Sequence, residues 1–124
     1  MLPEKLKKVL SYEGVVSITT WTEAGPHVTN TWNSYTETTD DDRILIPAAG
    51  MTSTEEDLAV NANLILTAGT REVEGFNGYK GTGFRITGTA AMIEKGEEFD
   101  MMKEKYPFLR KVLEVKVKEA KQLL

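Results

Sequence analysis

The sequence predicts a mainly β fold with short helices, built as an antiparallel barrel in one domain spanning residues 1–124. Three observations carry this. About six segments have strand character, and turn residues rather than long helices join most of them. Helical periodicity is confined to three short stretches. The chain has 124 residues, the size of one domain with a modest core.

Each element follows in order. Leu2, Leu6, Val9 and Leu10 recur at helical spacing, Pro3 suits a first helical turn, and Gly14 ends the helix. Val15 to Trp21 is the first strand, and Glu23-Ala24-Gly25-Pro26 is a turn. The second strand runs from Pro26 to about Glu37 and contains PHVTNTWNSY. Alternation puts Asn30, Trp32 and Ser34 on one of its faces and Thr31, Asn33 and Tyr35 on the other. After the Asp40-Asp41-Asp42 turn, Arg43 to Pro47 is a short buried strand. Ala48 to Met51 breaks the pattern, and Ser53 with Glu56 has the spacing of a capping box opening a short helix on Leu58, Ala59 and Ala62. Leu64 to Val73 is a strand, Gly75 to Gly83 a glycine-rich hairpin loop, and Phe84 to Ile93 a strand. Glu97 to Tyr106 is a helix with Phe99 and Met102 inward, ended by Pro107. In the closing segment Leu113, Val115 and Val117 face one way and Glu114, Lys116 and Lys118 the other.

Composition excludes several chemistries. The net charge of −4 argues against a protein that coats nucleic-acid phosphates. No apolar run has membrane-spanning length. Met1-Leu-Pro-Glu-Lys-Leu-Lys-Lys lacks the apolar core of a signal peptide, so the expected location is cytoplasmic. With no cysteine there is no thiolate nucleophile, and a lone histidine, His27, excludes multi-histidine zinc sites. His27 follows a Gly-Pro turn and is expected at a strand entrance, partly exposed. The acidic clusters 40–42 and 55–57 read as a solvated turn and an acidic first helical turn, so no catalytic carboxylate pair is nominated.

Two stretches could hold a ligand. Small residues from Ala48 let a ligand approach the backbone, and the helix start at Thr52, Ser53 and Thr54 offers N–H groups and hydroxyls that suit a phosphate. The same residues also make an ordinary helix start, with Glu55 and Glu56 opposing an anion. The strand around Trp32 puts an indole beside neutral amides and hydroxyls, as a flat heterocycle would require. The alternative is a core Trp32 flanked by polar pairs across strands. The Gly78, Gly81 and Gly83 spacing is not a phosphate-binding fingerprint, because a strand follows it rather than a helix.

Taken together, Glu13-Gly14-Val15-Val16, Gly25-Pro26-His27, Asn30-Thr31-Trp32-Asn33-Ser34-Tyr35, Arg43-Ile44, Pro47 to Met51, Thr54-Glu55, Arg71 to Val73, Gly81-Thr82-Gly83-Phe84, Gly88 and Ala90-Ala91 resemble the small FMN-binding split-barrel proteins of anaerobic bacteria, within the pyridoxamine-phosphate-oxidase-like flavin fold. The resemblance spans nearly the whole chain. It implies a six-stranded antiparallel split barrel, a homodimer, and one non-covalent FMN near the interface. Asn30, Thr31 and Trp32 would line the flavin. Backbone of Pro47, Ala48, Ala49, Gly50 and Met51 would border its ring, and Ser53 and Thr54 would reach the phosphate. Tyr35 and Phe108 would be aromatic neighbours, and Leu124 would cross from the partner. Two positions depart from the family pattern. Ser53 stands where relatives can place a lysine, which leaves the phosphate to hydroxyls, amides or a basic residue such as Arg71. Phe108 stands where a tryptophan is expected.

The implied function is an electron carrier or small flavin reductase, possessing the redox chemistry of the flavin itself. Enzymatic turnover as an FMN-dependent oxidoreductase stays open, as does the redox partner, a protein or a nicotinamide cofactor. Two alternatives stand beside it: a pyridoxamine-phosphate oxidase, which needs a second basic phosphate site, and a non-enzymatic module for flavin or haem, the latter ligated through His27.

Overall fold

A computed structural model describes Met1–Leu124. The order is α1 (Glu4–Leu10), β1 (Val15–Thr22), β2 (Gly25–Trp32), a 3₁₀ turn (Asn33–Tyr35), β3 (Glu37–Thr38), β4 (Arg43–Ala48), α2 (Thr52–Val60), β5 (Asn63–Glu74), a second 3₁₀ turn (Phe76–Gly78), β6 (Lys80–Ile93), α3 (Glu97–Lys105) and β7 (Lys111–Gln122). The strands form one sheet in the order β2-β1-β5-β6-β7-β4-β3. Every pairing is antiparallel.

The topology forces the sheet to curl. β2 and β3 are its two edges, yet only residues 33–36 separate them in the chain. Those residues span at most about 18 Å. Seven flat strands would hold the edges about 29 Å apart. The sheet therefore rolls into a barrel that stays open between β2 and β3.

Side chains on the inner face make the main core. Val16, Ile18, Ile44, Ile46, Leu64, Leu66, Ile86, Leu113 and Val115 fill it, and Leu6 and Val9 of α1 pack into it. Leu45 and Val112 point outward and are covered by Met102, Tyr106 and Leu109 in a second cluster. Both faces of β4 are thus buried, which explains its unbroken apolar run.

Several sequence expectations change. The strand count is seven, because two-residue β3 adds to six longer strands. The predicted second strand stops at Trp32: Asn33 is fully buried, and its side-chain amide lies within hydrogen-bond reach of the carbonyls of Val9 (3.2 Å), Tyr12 (2.9 Å) and Gly69 (3.1 Å). That local side-chain bonding turns the chain there. The hairpin loop is shorter than expected, since β6 begins at Lys80 and its glycines lie in the ladder, Gly83 opposite Gly69. β7 continues to Gln122, with a bulge opposite Thr87 and Gly88. In α2 the buried residues are Thr54 and Asp57, Ala59 is exposed, and Ala62 lies beyond the helix end and is also exposed.

Candidate functional site

A groove of about 280 Å³ lies between β2 and the start of α2, lined by His27, Val28, Thr29 and the run Met51 to Thr54. β2 forms one wall because it is an edge strand, paired on one side only with β1. The end of β4 sets the other wall. Pro47 and Ala48 are buried and pair with Val112 and Lys111 of β7. β3 pairs only with Ile44 and Leu45, so Pro47 needs no N–H toward that side. Ala49 and Gly50 then turn the chain, tied by Arg110, whose Nε donates to the Ala49 carbonyl (3.2 Å) and Nη2 to that of Gly50 (3.0 Å). Met51 takes the left-handed conformation (φ 59°, ψ 36°), which aims the chain from strand into helix. A non-glycine residue there costs about 1–2 kcal/mol, a strain of the kind held at binding sites.

The first turn of α2 offers donors without acceptors. No side chain caps it, and the first backbone bond back into the turn is Glu55 N–H to the Met51 carbonyl at 2.9 Å. The N–H groups of Thr52, Ser53 and Thr54 therefore remain free for a ligand. The Ser53–Glu56 capping box is absent because the helix begins at Thr52, which places Ser53 within the first turn and not at the cap. Thr54 is only 2 % exposed, lines the groove, and its hydroxyl has no partner in the protein yet is not sealed from solvent.

Two nearby acids are engaged by other side chains. Glu55 pairs with Arg110 at 2.8 Å and with Lys111. Those bonds, Lys111 first and Arg110 next, hold its carboxyl below the usual range. Asp57 Oδ2 accepts from Thr20 Oγ1 (2.9 Å) and faces His27 Nδ1 at 2.8 Å. The His27 bond, with help from Thr20, keeps the Asp57 carboxyl low against the opposing effect of burial. Glu55 is thus balanced by two cations, while Asp57 keeps its charge beside a histidine and a hydroxyl and Glu56 is exposed.

The expected site residues fall in four places. Ser53, Thr54 and Met51 line the groove. Asn30, Thr31 and Trp32 continue along β2, with Thr31 buried and Trp32 48 % exposed, so Trp32 is not core. Tyr35 and Phe108 pack with rings tilted by 45° at a centroid distance of 5.3 Å beside Tyr106, whose hydroxyl donates to Glu37 at 2.6 Å. Burial first, and then the bond to Glu37, push the pKa of the Tyr106 hydroxyl well above its ordinary value. Leu124 lies elsewhere in the same chain, in a larger groove of about 520 Å³ that also holds Arg71, Gly14 and Gly81. Arg71 lies in that groove and not at the α2 start of its own chain. The Thr20–Asp57–His27 constellation was not legible in the sequence. Its one trace is the three-residue spacing of Thr54 and Asp57, which sets both on the barrel side of α2.

Residues 2–124 match the family described as pyridoxamine 5'-phosphate oxidase. The chain belongs to that family. An FMN-binding protein of Nitratidesulfovibrio vulgaris (strain Miyazaki F) is 44% identical over 124 residues, covering 100% of both chains. The crystal structure of HupZ from Group A Streptococcus matches with a TM-score of 0.80 at 16% identity, covering 99% of this chain and 94% of that one. An FMN-binding protein from Syntrophomonas wolfei matches with a TM-score of 0.75 at 20% identity, covering 98% and 85%. These structures establish the split-barrel fold. In this chain α3 lies outside the barrel, where its Met102 covers Leu45 and Val112.

Proposed function

We propose that the protein binds FMN non-covalently and serves as an electron carrier or small flavin reductase. The observation that carries the reading is the α2 start, where three free N–H groups converge with the unpartnered Thr54 hydroxyl in an open groove. Such a donor set fits one terminal phosphate. The relative that shares 44% identity is named for FMN binding, which supports the same ligand.

In this reading Thr52, Ser53 and Thr54 hold the phosphate. Asn30, Thr31 and Trp32, with backbone from Pro47 to Met51, hold the ring. When bound, FMN supplies one- and two-electron redox chemistry. The chain's part is to position the ring, restrict water and set its hydrogen bonds. A second copy of the chain would complete the site, its Leu124 covering the ring. The exposed Val28, Trp32, Leu123 and Leu124 support such a dimer.

Chromatography of flavin released from the purified protein tests the ligand. FMN is expected; FAD, or haem with a Soret band, overturns the reading. Thr54→Val should weaken FMN about tenfold, the value of a hydrogen bond to a charged group, while riboflavin binding is unchanged.

A further inference from the structure

The α2 start holds no lysine or arginine in its first turn or in the groove it lines, and Ser53 sits within that turn. We propose that His27 provides the missing positive charge, and that Asp57 is the residue that positions it. The inference rests on the FMN reading above and names the cation of that site.

Four observations point to His27. It is the only residue lining the groove that can carry positive charge. The other cations near the α2 start, Arg110 and Lys111, are engaged with Glu55 and with the Ala49 and Gly50 carbonyls. Arg71 lies in a different groove. The His27 side chain is 51% exposed, so half of the ring remains available to a ligand.

The geometry leaves one nitrogen free. Asp57 is ionised and 95% buried, and its Oδ2 lies 2.8 Å from His27 Nδ1. An ionised carboxylate only accepts, so Nδ1 carries the proton and donates. Nε2 is then the nitrogen left for a ligand, and protonating it makes a cation with a second donor. Thr20, opposite His27 in the β1–β2 ladder, donates to the same Asp57 oxygen at 2.9 Å and fixes it from the other side. The groups facing the His27 ring are thus Asp57 from α2 and Thr20 from β1, of which only Asp57 is charged. This arrangement repeats the way a second carboxylate orients a ligating imidazole at metal centres, here turned toward an anion.

Comparing FMN with riboflavin isolates the phosphate, because the two differ only there. Kd for both flavins is measured on the full chain by quenching of flavin fluorescence. The wild-type protein is expected to favour FMN strongly. His27→Gln should cut that preference about tenfold and leave riboflavin affinity within twofold. Adding Ser53→Lys to His27→Gln should restore the preference by returning a charge to the cradle. Asp57→Asn should lower it partly, with His27→Lys retaining it. A His27→Gln protein with the wild-type FMN preference overturns the role of His27 while leaving the FMN reading intact. Equal loss of both flavins in His27→Gln also overturns it, since the residue would then act on the fold. No preference for FMN in the wild-type protein removes the FMN reading itself, and this inference with it.

Discussion

Arg43 and Glu98 form a two-pronged ion pair, Nη1 to Oε1 at 2.6 Å and Nη2 to Oε2 at 2.7 Å. The pair bolts α3 to β4, and Arg43 Nη1 also donates to Glu114 of β7 at 2.8 Å. One side chain therefore joins three elements around the outer core of Leu45, Met102 and Val112.

Removing Arg43 should loosen α3. Arg43→Met leaves the Glu114 carboxylate, only 18% exposed, without this partner. The expected loss is about 1–3 kcal/mol, with the partly exposed Glu98 contributing at the low end. Urea titration reads it directly. An unchanged midpoint would show that α3 is held by its apolar contacts alone.

Acid should weaken the same joint. Arg43 holds the Glu98 carboxyl below its ordinary value. A carboxyl depressed in the folded state gives stability that is present above the unfolded value, about 4.3, and is lost as pH falls through and below it. Glu98→Gln removes this part, so its stability should fall less steeply with acid than that of the wild type. Parallel curves for the two proteins would refute the linkage.

Gly88 is a steric requirement. A Cβ there would sit 2.2 Å from the Lys116 carbonyl oxygen in the neighbouring strand, at the β6–β7 bulge. Backbone cannot give way as a flexible side chain does. Gly88→Ala should cost about 1–3 kcal/mol, lowering Tm by roughly 5–15 °C. Gly50→Ala is the control, since its Cβ meets nothing within 4 Å. Equal effects from both would mean that backbone entropy, not the clash, governs.

Trp32 fluorescence should respond to the flavin. With 48% of its surface exposed, the indole is free to contact the isoalloxazine, and that contact permits fast electron transfer. In a Trp21→Phe background, release of the cofactor should raise emission severalfold. Constant emission would place the ring away from Trp32.

The tail divides into a fixed backbone and free side chains. Leu123 N–H donates to Gly83 at 2.8 Å, and the Leu124 carbonyl accepts from Thr82 Oγ1 at 2.8 Å. Yet Leu123 and Leu124 are 42% and 54% exposed. Burying a leucine side chain against a partner contributes about 1.5–3 kcal/mol. Deleting both should weaken the dimer in sedimentation and speed oxidation of the reduced flavin by oxygen. Lower thermal stability with neither change would confine the tail to its own barrel.

The sequence by itself determined the barrel, its three short helices and the small-residue turn before α2. Those features rest on local signals: alternation in Leu113-Glu114-Val115, helical spacing in α1, and punctuation at Gly14 and Pro107. It also marked the helix start at Ser53 and Thr54, and the strand at Trp32, as the two stretches that could hold a ligand. Tertiary structure alone decided where β2 ends, because the three carbonyls reached by Asn33 come from Val9, Tyr12 and Gly69. It alone gave the α2 acids their partners, since Glu55 meets residues 110 and 111, and Asp57 meets His27 and Thr20. It also separated Arg71 from the cradle. Local propensity is written in neighbours along the chain, whereas hydrogen-bond satisfaction and charge pairing depend on which distant residues the curled sheet brings together.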